Sequence, residues 1–120
     1  MATAAGAQVR RVYDAAREDD GVRVLVDRIW PRGMTKAKAA LDEWCKDVAP
    51  STQLRKWYGH DPAKFDEFAT RYKTELKDPA RAQVLDHLRE LARGQRVTLL
   101  TATKAAEISE AQVLAELIGR

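Results

Sequence analysis

The sequence predicts an α/β fold: a small, mainly parallel sheet of three to four strands, flanked by helices. Two observations carry this. Val22–Ile29 places Val22, Val24 and Val26 on one face and Leu25 on the other, the pattern of a strand covered on both sides. Between it and a second apolar run, Arg96–Thr103, lie helical segments with clear start and stop signals. The stretch from Trp30 to Gln95 is long enough for a crossover between two parallel strands.

In chain order, residues 1–7 are small and polar and are expected to fray. Gln8 to Asp14 reads as a short strand with Val9, Val12 and Tyr13 as its apolar content, and Asp20-Gly21 marks a turn before Val22. Ala15 to Gly21 is short for a parallel crossover, so an antiparallel first pair is the alternative. Pro50-Ser51 starts a short helix running to about Trp57, with Ser51 as N-cap. Asp61-Pro62 and Asp78-Pro79 each set a capping carboxylate before a proline at the first helical position, where no N–H is needed. The helix after Pro62 carries one stripe, Phe65, Phe68, Tyr72 and Leu76; the next carries Val84, Leu85, Leu88, Leu91 and Ala92 and stops at Gly94. After the strand Arg96–Thr103 a last helix turns Ala111, Leu114, Leu117 and Ile118 inward. Its start is either a Thr103 cap or a Ser109–Gln112 capping box.

The chain has 120 residues, enough for one domain over 1–120 with a real core. Lys and Arg number 21 against 18 Asp and Glu. The excess lies in residues 1–60, with 11 basic and 8 acidic side chains, whereas residues 61–120 hold 10 of each. A basic half fits an anionic small molecule or a nucleic acid as partner, but a formal charge of +3 does not establish nucleic-acid binding. The single cysteine, Cys45, excludes an internal disulfide and any multi-cysteine zinc site. The N-terminus lacks the features of a secretory signal and no run is long enough to span a membrane, so the expected setting is cytoplasmic, with no membrane partner. No cofactor is expected, because neither a G-x-G-x-x-G nor a G-x-x-x-x-G-K-[ST] loop is present. No metal ligand set is expected either, with His60 and His87 as the only histidines.

If the strands at Val22 and Val97 are parallel, their carboxyl ends open on the edge where α/β sheets bind ligands. There V-D-R-I-W-P-R-G gathers Asp27, Arg28, Trp30 and Arg32, and the other strand brings Thr101, Thr103 and Lys104. Arginine grips phosphate or carboxylate in a planar, bidentate way, and tryptophan stacks on a base or a guanidinium. The competing reading pairs Arg28 with Asp27 or a neighbouring acid and uses Trp30 to plug the core. A second cluster holds Lys46, Asp47, Ser51, Arg55 and His60. Helix N-terminal amides at Ser51 with nearby cations would form an anion pocket; more simply, Ser51 is only a cap. His60 beside Asp61 is either an oriented acid/base or a helix-entry contact. Cys45 beside Lys46 could be an activated thiolate with His60 as its base, although a lone cysteine flanked by tryptophan is more often a small buried hydrophobe.

V-L-V-D-R-I-W-P-R-G (24–33), W-C-K-D-V-A-P-S (44–51), L-R-K-W-Y-G-H-D (54–61), F-x-x-R-Y (68–72) and V-T-L-L (97–100) together resemble the DUF488 family and its short YeaO-like branch. The resemblance spans about residues 9–118 and implies a small α/β fold with the matching polar residues at one edge, with no known reaction. Members are sometimes labelled MarR-type regulators, yet no winged-helix ribbon and no basic recognition helix is present here. Related sequences carry His-Asn-His before the final helix, where this chain has Ile108, Ser109 and Glu110. If those histidines take part in catalysis, the activity here is lost or altered.

Three functions follow. The first is an enzyme, or a degenerate one, binding a phosphate-bearing ligand such as a nucleotide or nucleic-acid end. Arg28, Trp30, Arg32, Lys46, Ser51, Arg55 and Lys104 would bind, with Asp27, Asp47 and His60 as catalytic candidates. The second is a non-catalytic interaction module. The third, a DNA-binding transcription regulator, is disfavoured by the acidic side chains Asp66, Glu67, Glu75, Asp86 and Glu90 on its helices.

Overall fold

The computed structural model describes residues 6–119. Four strands, β1 (Gly6–Arg11), β2 (Val22–Leu25), β3 (Glu43–Trp44) and β4 (Arg96–Thr101), form one sheet in the order β1-β4-β2-β3. Every neighbouring pair is parallel. The helices are α1 (Lys36–Ala39), α2 (Thr52–Tyr58), α3 (Phe65–Glu75), α4 (Pro79–Gly94) and α5 (Glu110–Ile118). The predicted α/β class is the observed one. Among the described residues, no helix is long and apolar enough to cross a membrane.

The antiparallel first pair is overturned. That alternative assumed β1 and β2 to be neighbours, but β4 lies between them and is parallel to both. The connecting segment therefore runs over the start of β4. It is pinned there by the Thr98 hydroxyl, which donates to the Asp20 carbonyl at 2.6 Å. Gly21, at φ +65°, makes the close pass: a Cβ on it would lie 2.1 Å from the Arg96 carbonyl oxygen. β1 also starts earlier than expected. Gly6 and Ala7 belong to it and Ala7 is buried, its amide donating to the Gly119 carbonyl at 2.8 Å, while residues 1–5 of the expected frayed segment lie outside the described residues.

β2 is shorter than the predicted Val22–Ile29. Its ladder persists to Val26, whose amide donates to the Leu100 carbonyl at 3.1 Å, and then ends because Asp27 uses its side chain on β4 instead. The period of two holds on both strands. Val24, Val26, Val97 and Leu99 join the large core under α2–α5; Leu25 and Leu100 join a smaller one with Val12, Ala39, Trp30 and Met34 on the opposite face. The large core contains the stacked rings of Tyr58, Phe68 and Tyr72, with centroids 4.2 and 5.7 Å apart. Burying each such side chain contributes about 1.5–3 kcal/mol.

Helix starts follow the punctuation with two corrections. Asp61 caps as expected, accepting from the Ala63 amide at 3.0 Å, and Pro62 opens a single 3-10 turn ahead of α3. Asp78 does not cap α4 through its side chain; its carboxylate lies 3.7 Å from Arg81, one turn on. Ser109 precedes α5, but its hydroxyl donates to the Ala106 carbonyl at 2.6 Å and Gln112 turns to Glu116, so neither predicted cap forms.

Candidate functional site

Because β2 and β4 are parallel, their carboxyl ends open on one edge. Asp27 stands there in a fixed pose. One carboxylate oxygen accepts from the Thr101 hydroxyl at 2.9 Å, the other from the Ala102 amide at 2.8 Å, and the Trp44 indole donates to the Asp27 carbonyl at 2.7 Å. Glu110, the first residue of α5, brings a second carboxyl against it. Burial pushes the Glu110 carboxyl well above the usual carboxylate range. The hydrogen bond to Asp27 and the Asp27 charge push it further, while Arg55 pulls it back only in part. A carboxyl–carboxyl hydrogen bond needs a proton between the two groups, so the proton belongs to the Asp27–Glu110 pair.

Around this pair opens a cleft of about 440 Å³, lined among others by Asp27, Arg28, Trp30, Arg32, Arg55, His60, Thr103 and Glu110. The guanidinium groups of Arg28 and Arg32 make no hydrogen bond or ion pair with the described residues, so the alternative pairing of Arg28 with Asp27 is not formed. Arg55 reaches in from α2. One terminal nitrogen donates to the Thr52 hydroxyl at 3.2 Å, and its buried Nε has no partner. His60 follows Gly59, and both residues are left-handed, at φ 56° and 53°. This turn points the His60 ring at β4, with Nδ1 3.3 Å from the Thr103 hydroxyl. Asp61 caps its own helix rather than orienting His60.

Adjoining the cleft is a second hollow of about 430 Å³, which shares Ile29, Arg55, His60 and Glu110 with the first and is otherwise lined by Pro50, Thr52, Lys56, Tyr58, Phe68 and Ser109.

Of the predicted residues, Asp27, Arg28, Trp30, Arg32, Arg55 and His60 thus line one space. Trp30 lines it while also plugging the smaller core: its indole donates to the Met34 carbonyl at 2.8 Å and its ring meets Trp44 edge-on. Four residues lie elsewhere. Lys46 is exposed, its ammonium 5.4 Å from the Trp44 ring, and Asp47 is exposed beside it in a 3-10 turn; neither lines the cleft or the hollow. Lys104 is exposed just beyond Thr103 and also lies outside both linings. At Ser51 the anion is the protein's own: Glu75 accepts from the Ser51 amide at 2.8 Å and from its hydroxyl at 2.5 Å, and that hydroxyl accepts from the Leu54 amide.

Burial, together with Glu43, pushes the Cys45 thiol up to about 11, so it is a protonated thiol at neutral pH and not an activated thiolate. His87 lies on α4 with Nε2 2.8 Å from Glu43. The described residues hold no group of three or more His, Cys, Asp or Glu arranged for a metal.

Sequence reasoning did not choose Glu110 as a site residue. The available signal was its place in the stretch where the resemblance implies histidines. The buried pair Asp20–Arg23, at the other end of β2, was also missed.

The model of the family group described as the inactive DUF488-N3 subclade matches residues 7–120. An uncharacterised protein of Mycobacterium tuberculosis is 52% identical over 112 residues, covering 93% of this chain and 92% of the relative. An uncharacterised protein of Mycobacterium bovis matches to the same extent. The uncharacterised protein YeaO of Escherichia coli is 42% identical over 109 residues, covering 91% of this chain and 93% of its own. No solved structure matches. The chain belongs to the DUF488 family, within its inactive DUF488-N3 subclade.

Proposed function

We propose that this protein binds a phosphate-bearing ligand, a nucleotide or a nucleic-acid end, in the cleft at the carboxyl edge of the sheet and holds it without turnover. The observation that carries this reading is the convergence of three arginines on one open space. The guanidinium groups of Arg28 and Arg32 have no partner among the described residues, and Arg55 has a buried Nε unsatisfied by them. A phosphate offers acceptors in the geometry that guanidinium donors match. An arginine nitrogen left without a partner away from water is costly until an acceptor arrives.

Two observations favour binding over catalysis. The matching subclade is described as inactive. Glu110 stands in the stretch where the resemblance implies histidines, and it is hydrogen-bonded to Asp27. Asp27 accepts from Thr101 and Ala102 and is hydrogen-bonded to Glu110 as well, so it is engaged as a structural acceptor and not poised as a general base. His60 remains as a donor to the ligand. Regulation through helices on DNA is disfavoured, because Arg71, Arg89 and Arg93 are paired along α3 and α4 with Glu67, Asp86 and Glu90.

Calorimetric titration with inorganic phosphate, a nucleoside monophosphate and a 5′-phosphorylated oligonucleotide tests the reading. Saturable binding is expected, weakened at least about tenfold in Arg32→Ala, which corresponds to about 1.4 kcal/mol, with the ligand recovered intact. Absence of binding to all three probes overturns it, as does conversion of any of them.

A further inference from the structure

We infer that the ligand is a phosphate ester carrying one compact apolar or aromatic group, which occupies the hollow beside the arginine cleft. This rests on the phosphate-binding part of that reading and, within it, favours a simple ester over a nucleotide. The two hollows are parts of one site, because Ile29, Arg55, His60 and Glu110 line both. An anion held by Arg28, Arg32 and Arg55 would therefore have the rest of its molecule directed past Ile29 into the neighbouring space.

The chemistry of that space is set by polar atoms already in use. The back wall is the stacked pair Tyr58 and Phe68, both buried. The Tyr58 hydroxyl donates to the Ile108 carbonyl at 2.6 Å, and the Ser109 hydroxyl donates to the Ala106 carbonyl at 2.6 Å. The Thr52 hydroxyl accepts from Arg55 at 3.2 Å. Thr52 keeps its own hydroxyl proton, and Lys56 and His60 also line the space, but its inner wall presents mainly carbon, from Pro50, Phe68 and the ring of Tyr58. Such a wall rewards an apolar body and offers few partners to sugar hydroxyls stripped of water. Ile29 completes the arrangement: 67% exposed, it belongs to neither core and stands on the lip shared by the two spaces.

The test compares inorganic phosphate with phenyl phosphate by calorimetry on the wild type, Ile29→Asp and Thr52→Trp. Phenyl phosphate is expected to bind at least tenfold more tightly than inorganic phosphate. Ile29→Asp, by placing an anion on the lip, and Thr52→Trp, by filling the hollow from the exposed start of α2, should each remove most of that difference. Thermal melts confirm that each variant is folded; either one suffices if the other is not. Equal affinity for the two probes on the wild type overturns this inference and leaves phosphate binding standing. Failure of phenyl phosphate to bind overturns this inference, and the phosphate-binding reading falls with it only if inorganic phosphate, the nucleoside monophosphate and the oligonucleotide fail as well. Retention of the full phenyl preference in a folded variant places the ring outside the hollow and also overturns the inference.

Discussion

Two clusters of acid and arginine sit on the same sheet and differ in how completely they are closed. At the amino-terminal end, Asp20 is buried and bonded to Arg23 at 2.5 Å, and Arg23 also donates to the Ala39 and Ala40 carbonyls, closing the end of α1. Gln8 joins Thr98, Asp20 and Arg96 to the same network. At the carboxyl end, two carboxyls are hydrogen-bonded to each other, and the guanidinium groups of Arg28 and Arg32, without acceptors among the described residues, line an open cleft with Arg55. The first cluster gathers Arg10, Arg23 and Arg96 around the one acid Asp20 and keeps the unpartnered Nε atoms of Arg10 and Arg96 buried inside the fold. The second leaves donors unmatched where solvent reaches them. An acid–arginine cluster therefore points to binding by the unmatched donors it turns toward a cleft, not by how many charges or orphaned nitrogens it holds.

The largest effect should come from opening the closed cluster. Arg23→Met strands the Asp20 carboxylate and should lower the unfolding free energy by about 3–5 kcal/mol in urea titrations; a loss under about 1 kcal/mol would mean the pair is not what holds α1 to β2. Next is the internal clamp on α2. Glu75→Ala removes an acceptor from the Ser51 amide and hydroxyl and should cost about 1.5 kcal/mol by the same measurement.

A smaller change of opposite sign is expected at the open cluster. Because the Glu110 carboxyl is raised in the folded state, the folded protein keeps a proton that the unfolded chain has released, so stability falls as pH rises from the unfolded carboxylate range through the folded value. Glu110→Gln keeps the shape without that penalty. Its Tm should exceed the wild type's by roughly 4 °C at about pH 8, and the gap should close at pH below about 4. A gap independent of pH would show that the two carboxyls do not share a proton. The least effect on stability belongs to Arg32→Ala, within about 0.5 kcal/mol of wild type, although phosphate binding should drop. A large destabilisation there would move Arg32 into the class of Arg23.

The sequence displayed much of this arrangement, and the parts it hid have physical reasons. Val22, Val24, Leu25 and Leu99 show the two-sided sheet because side-chain alternation is local, and Asp61-Pro62 shows the entry to α3 because capping is local too. Asp27, Arg28 and Arg32 were legible as site residues once the parallel edge was inferred. The insertion of β4 between β1 and β2 was not, since strand order is decided by contacts between segments far apart in the chain. For the same reason Ser51 looked open to a ligand when Glu75, 24 positions later, fills it. Asp20 read as part of a turn and Arg23 as a strand residue, with nothing to join them; only the burial imposed by β1, β4 and α1 makes the pair a core feature. The two-residue strand β3 and the one-turn helix α1 are too short to carry a periodic signal.

The Glu75 clamp also affects how ion-binding experiments on this molecule will read. Helix starts commonly collect stray sulfate or chloride from solution, which blurs the count of genuine sites. Here that seat on α2 carries a tethered occupant at high effective concentration, so soluble anions compete poorly for it. Anion titrations of this protein should thus report the arginine cleft with little background from the helix that supplies Arg55.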